Sequence, residues 1–318
     1  MLDLTQLHDG KHRILVVDDE DDIHVVSRLT LKTLRYQGRR VEIISAKSGA
    51  ECVEKVKSIP NIAVILLDVV MESDHAGLDA CKTVREELGN SFSRVLLRTG
   101  QPGAAPEKKV IQEYDIDGYL PKGELTAARL YTSVRTSLKA YCELVDLERH
   151  RQALSSIHDC IVSLRPYEPV ETALERIVST ALEVCPAGLA ALQLQTFEEE
   201  GNPQNYFLFE APDKDPVMSE AAAEQVRMRI AASWRPQSTM NPGEALDPEA
   251  FGDGYLVPLN IDHELGFGWI YIENTAPDQL SLHSLSLLAA HAVNALYAAV
   301  AQSMMANQEG ELFDQMSI

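Results

Sequence analysis

The chain has 318 residues and a formal net charge of −20, with 45% apolar and 24% charged side chains; the length suits two average domains and the composition excludes wholesale disorder. A pI near 4.8 argues against a nucleic-acid backbone or an anionic membrane surface as partner, since both call for a lysine/arginine footprint. The charge is uneven: Met1–Arg165 carries 25 acids and 23 bases, whereas Pro166–Ile318 carries 23 acids and 5 bases, which places a boundary near residue 165.

From the N-terminus, Arg13–Val17 is a β-branched run that leads into acids, and Ile23–Leu34 has apolar residues at helical spacing. Strands are predicted at Val41–Ser45, Ile62–Leu67, Arg94–Leu97 and Gly118–Leu120, separated by helical patterns at Ala50–Val56, Leu78–Leu88 and Glu107–Tyr114. Strands alternating with helices predict a doubly wound, five-stranded parallel sheet with right-handed crossovers. Apolar runs without alternation suit strands buried on both faces.

Glu124 to Leu164 has no internal Pro or Gly and reads as one long helix, its apolar stripe changing phase near Asp146. Such a stripe calls for a partner, a domain surface or a second copy of the chain, and suggests a homodimer through this helix. Beyond Pro166, helices are predicted at Pro169–Val184, Ser219–Ala232 and from Ser281 to about Ala306. Strands are predicted at Leu189–Thr196, Tyr206–Glu210, Gly254–Asn260 and Leu265–Ile272. The expectation is an α+β domain, an antiparallel sheet with helices on one side. No run approaches the roughly 18 apolar residues of a membrane span. Five widely spaced cysteines without C-x-x-C spacing, and an N-terminus without a signal-peptide apolar region, suggest reduced thiols in a cytoplasmic protein.

Ligands of open parallel sheets bind beyond the carboxyl ends of the strands. There the first strand ends in Asp18 and Asp19, the third in Asp68 and the fourth in Thr99, and Lys122 follows the fifth. Three crowded carboxylates call for a hard cation, and oxygen-only ligands suit Mg²⁺. A cation there screens an incoming phosphoryl group and lets a carboxylate act as nucleophile, while an ammonium and a hydroxyl hold the phosphoryl oxygens.

The pieces Val16-Val17-Asp18-Asp19-Glu20, Leu66-Leu67-Asp68-Val69-Val70-Met71, Gly77-Leu78, Leu96-Leu97-Arg98-Thr99-Gly100 and Gly118-Tyr119-Leu120-Pro121-Lys122 lie in order and at the right spacing. With them Lys11–Lys139 resembles the CheY-like receiver domain of two-component response regulators. The resemblance implies Asp68 as phosphoacceptor and a Mg²⁺ site of Asp18, Asp19, Asp68 and the Val70 carbonyl. It also implies Thr99 and Lys122 as phosphoryl contacts, Tyr119 as switch aromatic, and a histidine kinase or phosphotransfer protein as partner. Three departures stand out: Glu72 and Gly123 where the family has Pro, and a loop from Asp68 to Gly77 that is one residue longer. Arg98 to Gly103, Lys122 to Thr126 and Gly266 to Glu273 further resemble regulators in which the receiver precedes a GAF-like domain and, often, an HD-GYP cyclic-di-GMP phosphodiesterase.

The domain expectation is therefore receiver 1–139, helical linker 140–165, GAF-like domain 166–306 and tail 307–318. The functional expectation is a response regulator that is not itself an enzyme, since no HD-GYP or kinase module is evident. Its GAF-like domain binds an unidentified protein or small ligand. The alternatives are a ligand-sensing scaffold that works without phosphorylation and a truncated regulator of a cyclic-di-GMP phosphodiesterase. His150 and His158-Asp159 read as solvated helix positions, and Glu198–Asn202 as an acidic turn. Trp234, Trp269, Phe267 and Tyr271 read as core that also suits a pocket lining.

Overall fold

The computed structural model describes residues 10–100, 114–164, 169–197, 204–212, 215–234, 247–262 and 266–315. The predicted helix over 107–114 and the acidic turn at 198–202 lie largely or wholly outside them. The chain divides into two compact units, Met1–Arg149 and His150–Ile318.

In the first unit the strands are β1 (Lys11–Val17), β2 (Arg35–Tyr36), β3 (Arg39–Ala46), β4 (Ile62–Asp68), β5 (Arg94–Thr99) and β6 (Gly118–Pro121). The helices are α1 (Asp21–Leu31), α2 (Gly49–Ser58) and α3 (Ala76–Lys82), the last running into a π turn at Thr83–Glu87. The sheet order is β2-β3-β1-β4-β5-β6. Five strands run parallel, as expected for a receiver-like α/β fold. The sheet has six strands rather than five, because β2 pairs antiparallel with β3 across a hairpin in which Gln37 and Gly38 both take positive φ. Two left-handed residues in a two-residue loop match the strand twist; only Gly38 signals this in the sequence.

The unalternating strands do bury both faces. Ile14, Val16, Leu66 and Leu96 pack on one side with α1, while Leu15, Val17, Leu67 and Leu97 pack on the other with α2 and α3. α4 (Ala127–Ser163, 37 residues) is one unbroken helix. Its Leu130, Val134, Leu138, Tyr141 and Val145 belong to the core of the first unit, and its Ile157 and Cys160 to that of the second. The stripe offered as a dimer seam is thus corrected: most of it is intramolecular core. Leu147 and Leu154, seven residues apart, are 65% and 54% exposed.

The second unit contains α5 (Val170–Val184), β7 (Ala190–Thr196), β8 (Gln204–Glu210), α6 (Pro216–Ser233), β9 (Glu249–Phe251), β10 (Gly254–Asp262), β11 (Gly266–Ile272) and α7 (Gln279–Gln315). The five strands form an antiparallel sheet in the order β8-β7-β11-β10-β9. Helices cover both faces, not one. Leu192, Leu194, Val257 and Ile270 meet α5 and α7, whereas Ala191, Leu256, Trp269 and Tyr271 meet Ala223, Val226 and Ile230 of α6. The reason is visible in β11, where Trp269 and Tyr271 on one face and Ile270 and Ile272 on the other are all apolar. Gln279–Ala301 of α7 is long and apolar enough to cross a membrane by length and composition, which corrects the expectation that no run comes near that; half of the stretch is buried inside the unit.

Leu138 is fully buried, so Leu138→Ala should destabilise the chain by about 2–5 kcal/mol in denaturant melts, while exposed Leu147→Ala stays within about 0.5 kcal/mol of wild type.

Candidate functional site

Strand polarity brings the ends of β1, β4 and β5 and the segment after β6 to one edge of the parallel sheet. Asp18 follows β1; its backbone N–H donates to the Ala46 carbonyl at 3.1 Å and its carbonyl pairs with His24 Nε2 at 2.8 Å, so its position is fixed from both sides. Asp68 ends β4. Its Oδ1 accepts from the Val69 N–H at 2.9 Å, and the Val69 N–H also reaches the Arg98 carbonyl at 3.0 Å. Asp18 is 0% and Asp68 2% exposed. Lys122 Nζ stands between them, 2.7 Å from Asp68 Oδ2 and 3.4 Å from Asp18 Oδ2, with Glu20 Oε1 at 3.3 Å.

Three of the expected residues, Asp18, Asp68 and Lys122, therefore converge. Asp19 is exposed beside Asp18, and Asp18, Asp19 and Glu20 bring one carboxylate oxygen each within 4.8 Å of one another. Val70 sits in the loop after β4. The Thr99 backbone ends β5 opposite Pro121; its side chain lies outside what is described. Tyr119 packs half-buried against the core that holds Leu67 and Leu97, on the other face of the sheet. Sequence reasoning named Glu20 and Arg98 only as parts of motifs and Glu72 only as a departure from the family, and gave none of them a role at the site. Arg98 is buried at 3% exposure, with Nη1 3.9 Å from Asp18 Oδ2. Glu72 Oε1 accepts from the Gly49 N–H at 2.9 Å and so ties the loop after β4 to the start of α2. Gly77 is required by space: a Cβ there would overlap the Asp68 carbonyl oxygen.

Burial pushes the Asp68 carboxyl above the usual carboxylate range; Lys122 opposes the shift and the charge of Asp18 adds to it. Burial alone would lower the Lys122 pKa, but hydrogen bonding to Asp68 and the charges of Asp68 and Asp18 outweigh it and the net shift is upward. The chemistry of the donor set suits a hard divalent cation. Carboxylate oxygens cluster at an open sheet edge, and Asp18 Oδ2 is buried without a hydrogen-bond donor among the described residues.

No family model matches the chain. The 3'3'-cGAMP-specific phosphodiesterase 2 of Vibrio cholerae serotype O1 is 44% identical over 144 residues, 45% of this chain and 28% of the relative. The chain thus spans under a third of that relative's length. The expectation of a chain outside the enzymes is corrected by this match, which points to an enzymatic family. Among solved structures, a response regulator receiver domain from Clostridium thermocellum matches at 21% identity over 42% of this chain and 98% of its own (TM-score 0.35). The signal receiver domain of an HD domain-containing protein from Pseudomonas fluorescens Pf-5 matches at 18% identity over 42% and 98% (TM-score 0.36).

A carboxyl group with a raised folded pKa holds its proton more tightly in the folded chain. The stability it contributes is full below the unfolded pKa and lost as pH rises through the folded value. Ionised Asp68 is then a cost at neutral pH. In metal-free buffer Asp68→Asn should melt higher than wild type at pH 7, and the difference should shrink as pH falls through the Asp68 pKa. A lower melting point at pH 7 would show that the Lys122 pair outweighs burial.

Proposed function

We propose that this chain is a phosphorelay response regulator that accepts a phosphoryl group on Asp68. The observation that carries the reading is the placement of Lys122 Nζ against both Asp68 and Asp18 at the carboxyl edge of the sheet. Asp18, Asp19 and Asp68, with the Val70 carbonyl, would hold Mg²⁺. Bound there, the cation supplies charge neutralisation for the transferring phosphoryl group. The Asp68 carboxylate attacks phosphorus in the phosphohistidine of a kinase or phosphotransfer protein. The N–P bond breaks, the electron pair returns to the imidazole, and an acyl phosphate forms on Asp68. Lys122 is positioned to take a phosphoryl oxygen in place of its present carboxylate partner. Thr99 is read as the second phosphoryl contact, and Tyr119 as the aromatic that responds to it.

The relative named for 3'3'-cGAMP supports a setting in cyclic-dinucleotide hydrolysis. We read the first unit as the phosphorylation-controlled input of such a phosphodiesterase system, and the second unit as a GAF-like module that receives the signal through α4. Cytoplasmic placement accords with five free cysteines. The decisive experiment is intact-mass analysis after incubation with acetyl phosphate and Mg²⁺. Wild type should gain one phosphoryl group, and Asp68→Asn or omission of Mg²⁺ should abolish the gain. Equal labelling of the mutant would move the site elsewhere, and an unlabelled wild type would favour a scaffold that works without phosphorylation.

A homodimer through α4 is retained in reduced form, resting on the exposed Leu147 and Leu154. Leu154→Glu should lower the sedimentation coefficient of a dimeric species and leave the melting point near wild type. Ile157→Glu, which places a charge in the core of the second unit, should unfold that unit instead.

A further inference from the structure

Arg98 is the penultimate residue of β5 and occupies the face of the sheet that Leu96 buries two residues earlier. An aliphatic side chain there would be buried without electrostatic cost. Instead the guanidinium is 3% exposed, and its Nε and Nη1 lack hydrogen-bond partners among the described residues. A buried cation in that condition is unfavourable unless nearby charges compensate it. The compensation comes from the acidic edge. Nη1 lies 3.9 Å from Asp18 Oδ2, itself buried and without a donor, and β5 pairs Arg98 with Asp68 in the sheet register. Asp18 thus has two cations within 4 Å, Lys122 from the solvent side and Arg98 from the core side.

We propose that Arg98 is a built-in counter-cation of the phosphorylation site: buried at the end of β5, it neutralises part of the Asp18–Asp68 charge, holding the carboxylates together without metal and weakening their hold on Mg²⁺. The inference rests on the reading of Asp68 as phosphoacceptor and deepens it. Arg98 is a positioning residue, since it acts on the metal through Asp18 and not on substrate. Two consequences follow for the chain. The folded site persists in Mg²⁺-free solution, and metal uptake becomes sensitive to free Mg²⁺ because part of the attraction is already satisfied.

The test compares Mg²⁺ binding to full-length wild type, Arg98→Lys and Arg98→Met, read from backbone amide NMR shifts of Val69 and Val70 as Mg²⁺ is titrated into an initially metal-free buffer. Arg98→Met should bind Mg²⁺ roughly tenfold more tightly, the order expected for removing one like charge near a partly screened site. Arg98→Lys should stay within about twofold of wild type, since the charge is kept. A structural role alone predicts the opposite sign, because a displaced Asp18 binds metal less well. Folded Arg98→Met with unchanged or weaker Mg²⁺ affinity overturns the proposal. Where Arg98→Met does not fold, the Nε–H resonance of Arg98 in wild type decides. It should shift over the same Mg²⁺ range as Val69, and a resonance unmoved at saturation overturns the proposal. Wild type that takes up no Mg²⁺ sinks the phosphoacceptor reading together with this one; normal wild-type binding with an unaltered Arg98→Met sinks this one alone.

Discussion

Two carboxylates that cannot reach water dominate the first unit. Asp18 and Asp68 are almost wholly buried, and anions in that position are tolerated only when cations and hydrogen bonds replace the lost solvent. Much of the local architecture serves this replacement. The parallel register delivers the ends of β1, β4 and β5 to one edge, and the segment after β6 delivers Lys122. The backbone amide of Glu20 donates to Asp18 Oδ1 at 3.0 Å, and that of Val69 to Asp68. The absence of a side chain at Gly77 lets the following helix start directly against the Asp68 carbonyl.

Loop and helix starts around the site show how sequence departures are absorbed. Glu72, at the position where the resemblance to receivers led us to expect proline, supplies a carboxylate that caps the first turn of α2 at Gly49, where the helix dipole favours an anion. Gly123 lies in a single 3-10 turn from Lys122 to Glu124, and a Cβ at that position would meet nothing nearby. The turn is closed by the Leu125 amide on the Lys122 carbonyl, so the lysine backbone is held by hydrogen bonding and not by ring geometry.

The sequence was most legible where one physical rule acts alone. Unbroken apolar runs named the buried strands, and the acids at their ends named Asp18 and Asp68, because a parallel sheet places strand ends together. It was least legible where tertiary context chooses between equal patterns. The apolar positions of α4 have the spacing of a seam, yet the same spacing serves two successive cores, and nothing local distinguishes the two. Trp269 and Tyr271 alternate with Ile270 and Ile272, which identifies a strand but does not say that α6 covers the second face. Arg98 was hidden for a different reason: a charge in a strand usually means solvent, and its burial depends on carboxylates 30 and 80 positions away along the chain. The cysteines were legible as unpaired thiols, and burial raises Cys52 and Cys142 to about 12, which leaves both poor nucleophiles.

The short hairpin at the margin of the first sheet bears on how the chain survives its own synthesis. Without β2, the outer edge of β3 would present a row of open amides and carbonyls, the template on which sheets of neighbouring molecules join. Arg35 and Tyr36 pair with Arg40 and Arg39 at the start of that edge, and the hairpin carries three arginines, Arg35, Arg39 and Arg40. An incoming strand from an identical chain would meet the same positive margin and be repelled. Two residues of strand and a turn thus close the start of the β3 edge, and the charge they carry is of the kind that disfavours edge-to-edge pairing of sheets.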